Sequence, residues 1–230
     1  MKIQAIIPAA GTGTRLKAKE DKPLVILNGQ PLALYSLLAV EKCQAIDSVI
    51  VVVNERHLKI FKGLIKKFNL KKVKKVVAGG TRRCDSVKNG LAVLDPDTDV
   101  VVIHDGARPL VSPGLIEKAV SLMKKESAVV VAVPVTPTIK RVDPKNLYVQ
   151  ETLLRDTLWE VQTPQVFRKD ILLKAHEQML CCDPTDDAVL VEKMGVRVKV
   201  IRGDYRNIKI TIQADLAVAK TFLLKKSPKT

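Results

Sequence analysis

The sequence predicts an α/β fold, a single-domain doubly wound three-layer αβα sandwich. Three observations carry the prediction. Short β-branched runs that do not alternate with polar residues recur along the chain, and such runs are strands buried on both faces. Amphipathic stretches of helical length separate them. The length of 230 residues with 47% hydrophobic content suits one large domain with a sizeable core. Aromatic residues are only 3%, so that core is built mainly from Val, Ile, Leu and Ala.

The elements follow in order. Ile3–Pro8 is an apolar run that glycine ends, so it is read as a first strand rather than a signal peptide. Pro31 suits a helix start, and Leu32–Cys43 continues as a helix. Val49–Val53 is unbroken β-branched sequence and predicts a fully buried strand. Leu58–Phe68 sets apolar residues at helical spacing among lysines, and Val73–Ala78 returns to strand composition. Helix Cys84–Leu94, strand Val100–His104, helix Gly114–Lys125 and strand Val129–Val133 repeat the alternation. The last part carries helices Lys169–Met179 and Asp186–Met194, strand Val196–Ile201 and helix Ala214–Leu224. There is no internal repeat and no linker, so residues 1–230 are expected to form one domain.

Residues 135–160 break the pattern. The segment VTPTIKRVDPKNLYVQETLLRDTLWE holds two prolines and short alternating pieces. IKRV and LYVQET predict a hairpin around Asp143–Pro144–Lys145–Asn146. A lone hairpin this polar buries too little apolar surface to stand alone, so it is expected to protrude as an arm that packs on a second subunit.

Composition excludes several classes. No apolar run approaches the roughly 20 residues that span a bilayer, so no membrane is expected. The cysteines Cys43, Cys84, Cys181 and Cys182 form no CxxC pair, and His57, His104 and His176 are scattered. Reduced thiols and a cytoplasmic location follow most simply. The net charge of +15 permits a polyanionic partner. Its densest stretch, from Lys62 to Lys75, surrounds a helix and its exit, with almost no aromatic interleaved to stack bases. That reads as a solvated face, so nucleic acid is not the expected partner; small phosphorylated substrates benefit from the same field.

Chemistry concentrates in PAAGTGTRLKAKEDKP, residues 8–23. Gly11 and Gly13 let a ligand approach the main chain and offer amides to a polyphosphate, while Arg15 and Lys22 add mobile positive charge. A plain strand-to-helix turn with exposed lysines, Lys17 and Lys19 among them, is the competing reading. A dinucleotide loop requires a third glycine where Leu16 stands, and an acidic residue after the second strand where Val53–Asn54 stands. A Walker loop requires GK followed by Ser or Thr, which is absent. Asp105 ends the buried strand VVVIHD. At the carboxyl end of a strand it suits a Mg²⁺-triphosphate, held directly or through water, or it caps the following turn.

AAGTGTRL followed by Lys22 resembles the signature loop of nucleotidyltransferases that activate sugars and sugar phosphates. AGGTRRCDSVKNGL (78–91), VVIHDGARPLV (101–111), VPVTPTIKRV (133–142), VQTPQVF (161–167), TDDA (185–188) and NIKIT (207–211) follow in order. Together they resemble the 2-C-methyl-D-erythritol 4-phosphate cytidylyltransferase family over about residues 3–220. The resemblance implies a Rossmann-like nucleotidyltransferase fold. It also implies transfer of the cytidylyl group of CTP to a polyol phosphate, with release of pyrophosphate and no covalent enzyme intermediate. Ribitol 5-phosphate or another sugar phosphate is the alternative acceptor.

The same resemblance implies the roles. Arg15 and Lys22 embrace the triphosphate, and Lys209 reaches the shared phosphate from the opposite side. Asp105 serves the nucleotide, the acceptor and Mg²⁺. Main chain at Ala9, Ala10 and Gly80, with Ser86 nearby, selects cytosine, and Arg83 and Asp85 either support that pocket or face solvent. Arg108 either holds the acceptor phosphate or locks Asp105. Thr138 and Arg155 contact the acceptor phosphate, Arg155 from the partner subunit of a homodimer. Thr163 and Asp186 line the acceptor pocket, although Asp186–Asp187 also suits a helix N-terminus. Two positions depart from the family pattern. Asp21 stands before Lys22 where proline is usual, and Gly106 stands where alanine is usual.

Overall fold

The computed structural model describes residues 1–18, 20–178 and 184–224. Lys19, Met179, Cys181 and Cys182 lie outside them. In chain order the elements are β1 (Ile3–Ala9), β2 (Ile26–Leu27), β3 (Gln30–Pro31), α1 (Leu32–Lys42), β4 (Ser48–Val53), α2 (Leu58–Lys67), β5 (Val73–Ala78) and α3 (Arg83–Leu91). Then come β6 (Val100–Ile103), α4 (Pro113–Ser121), β7 (Ala128–Pro134), β8 (Lys140–Val142), β9 (Val149–Thr152), β10 (Trp159–Arg168), α5 (Lys169–Gln178), α6 (Ala188–Lys193), β11 (Lys199–Arg202) and α7 (Gln213–Leu224).

One seven-stranded sheet runs in the order β11-β7-β10-β6-β1-β4-β5. Its unbroken apolar strands work as expected: successive residues serve opposite faces. On β1, Ile3, Ala5 and Ile7 enter one core while Ile6 enters the other. On β4, Val49, Val51 and Val53 oppose Ile50 and Val52. Helices α1, α2 and α4 cover the first face through Leu34, Leu37, Phe61 and Ile116. Helices α3, α5 and α6 cover the second through Val87, Leu91, Leu172 and Val191. Each fully buried Ile, Leu or Val contributes about 1.5–3 kcal/mol of transfer free energy, so both faces matter to stability. The sheet is thus doubly wound in three layers.

The sequence reading missed one strand of this sheet, as well as the two-residue strands β2 and β3. β10 lies in the middle of the sheet, antiparallel to both β6 and β7. Its centre reads Gln162–Thr163–Pro164–Gln165, all buried, and the pairing register with β7 shifts between Gln162 and Gln165. A proline and three polar residues hide the strand signal, because a bulge frees the proline from the ladder. Smaller differences concern ends. The helix expected to reach Lys125 ends at Ser121 and continues as a 3-10 turn, Leu122–Lys124. The last strand begins at Lys199 rather than Val196.

The expected hairpin is present. Strands β8 and β9 pair antiparallel, with Lys140 opposite Thr152, and both are exposed along their length.

A third, smaller core positions the site. Leu16 of the glycine loop packs with Leu27, Leu32, Leu110, Ile210 and Leu216. Ile210 is fully buried there and donates its amide to Ala107 O at 2.8 Å, while Gln213 Nε2 bonds Leu16 O at 2.8 Å. The two ends of the chain are therefore tied together beside the carboxyl ends of β1 and β6.

Candidate active site

The carboxyl ends of β1, β4, β5 and β6 open into a cleft of about 730 Å³. Beyond Ala9 the main chain turns through Gly13, which has φ of +72°. A Cβ there would lie 2.6 Å from Lys22 Cβ, so the loop requires glycine both for its backbone angle and for the closeness of Lys22. Ala9, Ala10, Gly11, Arg15, Lys22, Gly80 and Ser86 all line it. Ser86 Oγ accepts the amide of Gly80 at 3.2 Å and fixes that part of the lining. Among the described residues neither Arg15 nor Lys22 sits in a salt bridge with a carboxylate. Burial pushes the Lys22 ammonium down from its ordinary value, and the charges of Lys209 and Arg15 push it further. Three cations have thus been brought within electrostatic reach of one another, an arrangement that an anion relieves.

Asp105 forms the floor. Its side chain is 8% exposed; one oxygen accepts Lys209 Nζ at 2.7 Å and the other accepts Arg83 Nε at 2.9 Å. Burial raises its pKa, but Arg83, Lys209 and Arg108 outweigh that and hold the carboxyl below the usual range. The main-chain amide of Asp105 donates to Thr163 Oγ1 at 3.0 Å. The Thr163 hydroxyl then has its own hydrogen for His104 Nδ1 at 3.0 Å, which leaves His104 Nε2–H for Arg108 O at 3.3 Å. His104 is therefore neutral, and burial lowers its pKa to about 4.

A smaller cleft of about 100 Å³ adjoins the first and shares Arg83, Asp105 and Lys209 with it. Arg108, Thr163 and Asp186 line it. Arg108 is 6% exposed and donates to the carbonyls of Asn207 at 2.7 Å and Val161 at 3.3 Å. Of the two roles left open for it, the contacts place its side chain against these carbonyls rather than on the Asp105 carboxylate. Asp186 accepts Gln165 Nε2 at 2.7 Å and the Val189 amide at 3.1 Å, so it also caps α6. Thr138 and Arg155 line neither cleft of this chain; Arg155 Nη1 bonds Thr136 O at 2.9 Å on the exposed arm.

Sequence reasoning left Arg83 undecided between pocket and solvent. Its guanidinium bridges Asp105 and Asp187, the latter at 2.8 Å, and Asp187 in turn bonds His176 Nε2 at 3.1 Å. Asp187 is 104 residues from Arg83, and nothing local in either stretch announces the pair. Asp85, left open in the same way, is engaged locally instead: it closes a capping box with Arg82 at the start of α3.

Two cations in no salt bridge among the described residues, beside a carboxylate that already holds two more, suit a polyphosphate undergoing substitution better than a hydride donor or a nucleic acid backbone. The fold that carries them is that of the α/β nucleotidyltransferases. The profile of the 2-C-methyl-D-erythritol 4-phosphate cytidylyltransferase family matches residues 3–225, and the chain belongs to that family; it is a cytidylyltransferase. The enzyme of this name from Alkaliphilus metalliredigens is 45% identical over 225 residues, covering 96% of this chain and 93% of the relative. That from Caldanaerobacter subterraneus subsp. tengcongensis is 42% identical over 228 residues, covering 98% and 100%. The crystal structure of 4-diphosphocytidyl-2C-methyl-D-erythritol synthase from Anaerococcus prevotii superposes with a TM-score of 0.85 at 33% identity, covering 97% of this chain and 98% of that one.

Proposed function

We propose that the chain transfers the cytidylyl group of CTP to 2-C-methyl-D-erythritol 4-phosphate in non-mevalonate isoprenoid precursor synthesis. An oxygen of the acceptor phosphate attacks the α-phosphorus, and the bond from that phosphorus to the bridging oxygen of pyrophosphate breaks. One observation carries the reading: Lys209, held by Asp105, stands where the larger and smaller clefts join. A cation at the junction of a triphosphate site and a phosphate site faces the group that both substrates share.

The larger cleft takes CTP. Arg15 and Lys22 hold the triphosphate and offset the charge that develops on the leaving oxygens. Gly11 and Gly13 offer main-chain approach, and Ala9, Ala10, Gly80 and Ser86 enclose the cytosine edge. The smaller cleft takes the acceptor, with Arg108, Thr163 and Asp186 around it. Holding both phosphates in line supplies much of the acceleration, because little covalent chemistry is left for the protein.

Mg²⁺ fits as an ion that arrives on the nucleotide. No group of three acidic, histidine or cysteine side chains suits a metal among the described residues, but one ionised carboxylate with phosphate oxygens and water is a usual Mg²⁺ set. Asp105 would supply that carboxylate, kept charged by its cationic neighbours, each oxygen already accepting one of them, Arg83 or Lys209. When bound, the ion neutralises triphosphate charge.

The arm exposes Val142, Leu147, Tyr148, Val149, Leu154 and Trp159. Such a row supports a homodimer in which Thr138 and Arg155 serve the neighbouring acceptor site. No described helix is long and apolar enough to cross a membrane; a cytoplasmic location is consistent with the reduced thiols Cys43 and Cys84.

Purified protein with CTP, Mg²⁺ and each candidate acceptor, read by pyrophosphate release, tests the reading. Turnover is expected with 2-C-methyl-D-erythritol 4-phosphate. Faster turnover with ribitol 5-phosphate would overturn the acceptor assignment.

A further inference from the structure

Lys22 is located by its neighbours on both sides. On one side lies Gly13, too close to carry a side chain. On the other, Asp21 turns its carboxylate away from Lys22 and toward the end of β4. Its Oδ2 accepts His57 Nε2 at 2.8 Å and Arg56 Nε at 3.2 Å, with a further contact from Arg56 Nη2. Asp21 and His57 are 11% and 13% exposed, so this is a half-sequestered cluster rather than a surface pair. Arg56 and His57 sit on a 3-10 turn, Glu55–His57, whose first residue Glu55 and whose cap Asn54 line the larger cleft. The cluster therefore ties the loop that carries Lys22 to the turn after β4, which contributes another part of the same cleft's lining.

The chemistry of the cluster fits this task. Burial raises the Asp21 carboxyl, but Arg56 and His57 outweigh it and keep the group ionised. An aspartate next to the lysine in sequence would neutralise it if the two side chains met. Here the carboxylate is committed elsewhere, and the carboxylates that act on Lys22 are Asp105 and Asp215. Asp21 also begins the 3-10 turn Lys22–Leu24 by accepting the Leu24 amide at 2.9 Å. Backbone and side chain of one residue thus set both the direction and the anchorage of Lys22.

We propose that Asp21, with Arg56 and His57, is a positioning residue for Lys22, fixing the ammonium against the triphosphate in the cleft. The inference rests on the role given to Lys22 above. Displacement of a reacting partner by about 1 Å costs up to a hundredfold in rate, so loss of the anchor is expected in kcat more than in the KM for CTP.

Asp21→Asn keeps the shape and removes the charge. It is expected to lower kcat roughly tenfold, with the unfolding temperature nearly unchanged. Asp21→Glu is expected to recover part of that loss. The decisive arm is Lys22→Ala with and without Asp21→Asn. If Asp21 acts through Lys22, Asp21→Asn lowers turnover no further once Lys22 is gone. Equal losses in both backgrounds would overturn the proposal, as would an unchanged kcat for Asp21→Asn while Lys22→Ala is impaired. Unchanged turnover of Lys22→Ala would instead remove Lys22 from the site, and this proposal with it.

Discussion

Lys209 Nζ lies 2.7 Å from Asp105 Oδ2, although the two residues are separated by more than a hundred positions and lie in different connecting segments, after β6 and before α7. The carboxylate's other oxygen holds Arg83, so Asp105 sets where two cations stand.

Asp105→Asn is expected to cost about 3 kcal/mol of stability, because removal of one member of a buried ionic cluster leaves the others uncompensated. Chemical denaturation measures it. Turnover is expected to fall about a hundredfold or more. Because the folded-state pKa of Asp105 is depressed, its contribution is complete above the ordinary carboxylate value near 4 and is lost as pH falls below it. The variant's stability is therefore expected to decline less steeply than the parent's below about pH 4.

His104 gives a second pH test in a different window. An ordinary histidine titrates near 6.5, whereas this one is lowered to about 4 by burial. The neutral form is favoured in the fold, so its contribution is present above about pH 6.5 and is lost progressively as pH falls toward 4. Proton-detected titration of the imidazole by NMR is expected to show it neutral at pH 5.5. A midpoint near the ordinary value would contradict the buried hydrogen-bond chain through Thr163.

Gly13→Ala should hurt activity more than stability. Its positive φ costs an L-residue about 1–2 kcal/mol, visible as a modest fall in unfolding temperature. The added methyl also meets Lys22 Cβ, which must move. Steady-state kinetics are expected to show a drop in kcat larger than that stability loss would produce through a reduced folded fraction.

Binding of CTP is expected to be accompanied by proton uptake at alkaline pH. In the free protein burial and two neighbouring cations lower the Lys22 pKa; a bound triphosphate raises it again. Calorimetry in buffers of different ionisation enthalpy reads the proton count. Lys22→Ala is expected to reduce the uptake, and an unchanged uptake would assign it to another group.

The arm predicts complementation. If Arg155 serves a neighbouring subunit, Arg155→Ala and Lys22→Ala proteins are each expected to be impaired, and their mixture is expected to regain activity as hybrids form. Hybrids demonstrated by mass spectrometry without any recovery would show that the arm does not serve the adjoining site.

Much of this was legible in sequence. Val49–Val53 and Val129–Val133 could be read as buried strands because a sheet covered on both faces demands unbroken apolar runs. The phosphate loop was legible because glycine and charge crowd into a few positions. What stayed hidden depends on tertiary partners. β10 is polar at its centre because those side chains serve the site: Thr163 holds the Asp105 amide, and Gln162 and Gln165 bond Asn207 and Asp186. Arg83 stayed open between pocket and solvent, because Asp187, its second carboxylate partner, arrives 104 positions later. Thr138 and Arg155 line neither of this chain's clefts.

β10 begins at Trp159, 41% exposed beside the hairpin, and passes within four residues to Thr163 under the Asp105 amide. One strand therefore runs from an exposed end to the Asp105 floor at its centre, across the register shift between Gln162 and Gln165. The residue that holds the Asp105 amide thus shares its backbone with the exposed edge beside the hairpin, so the surface and the cleft floor are built from one stretch of chain.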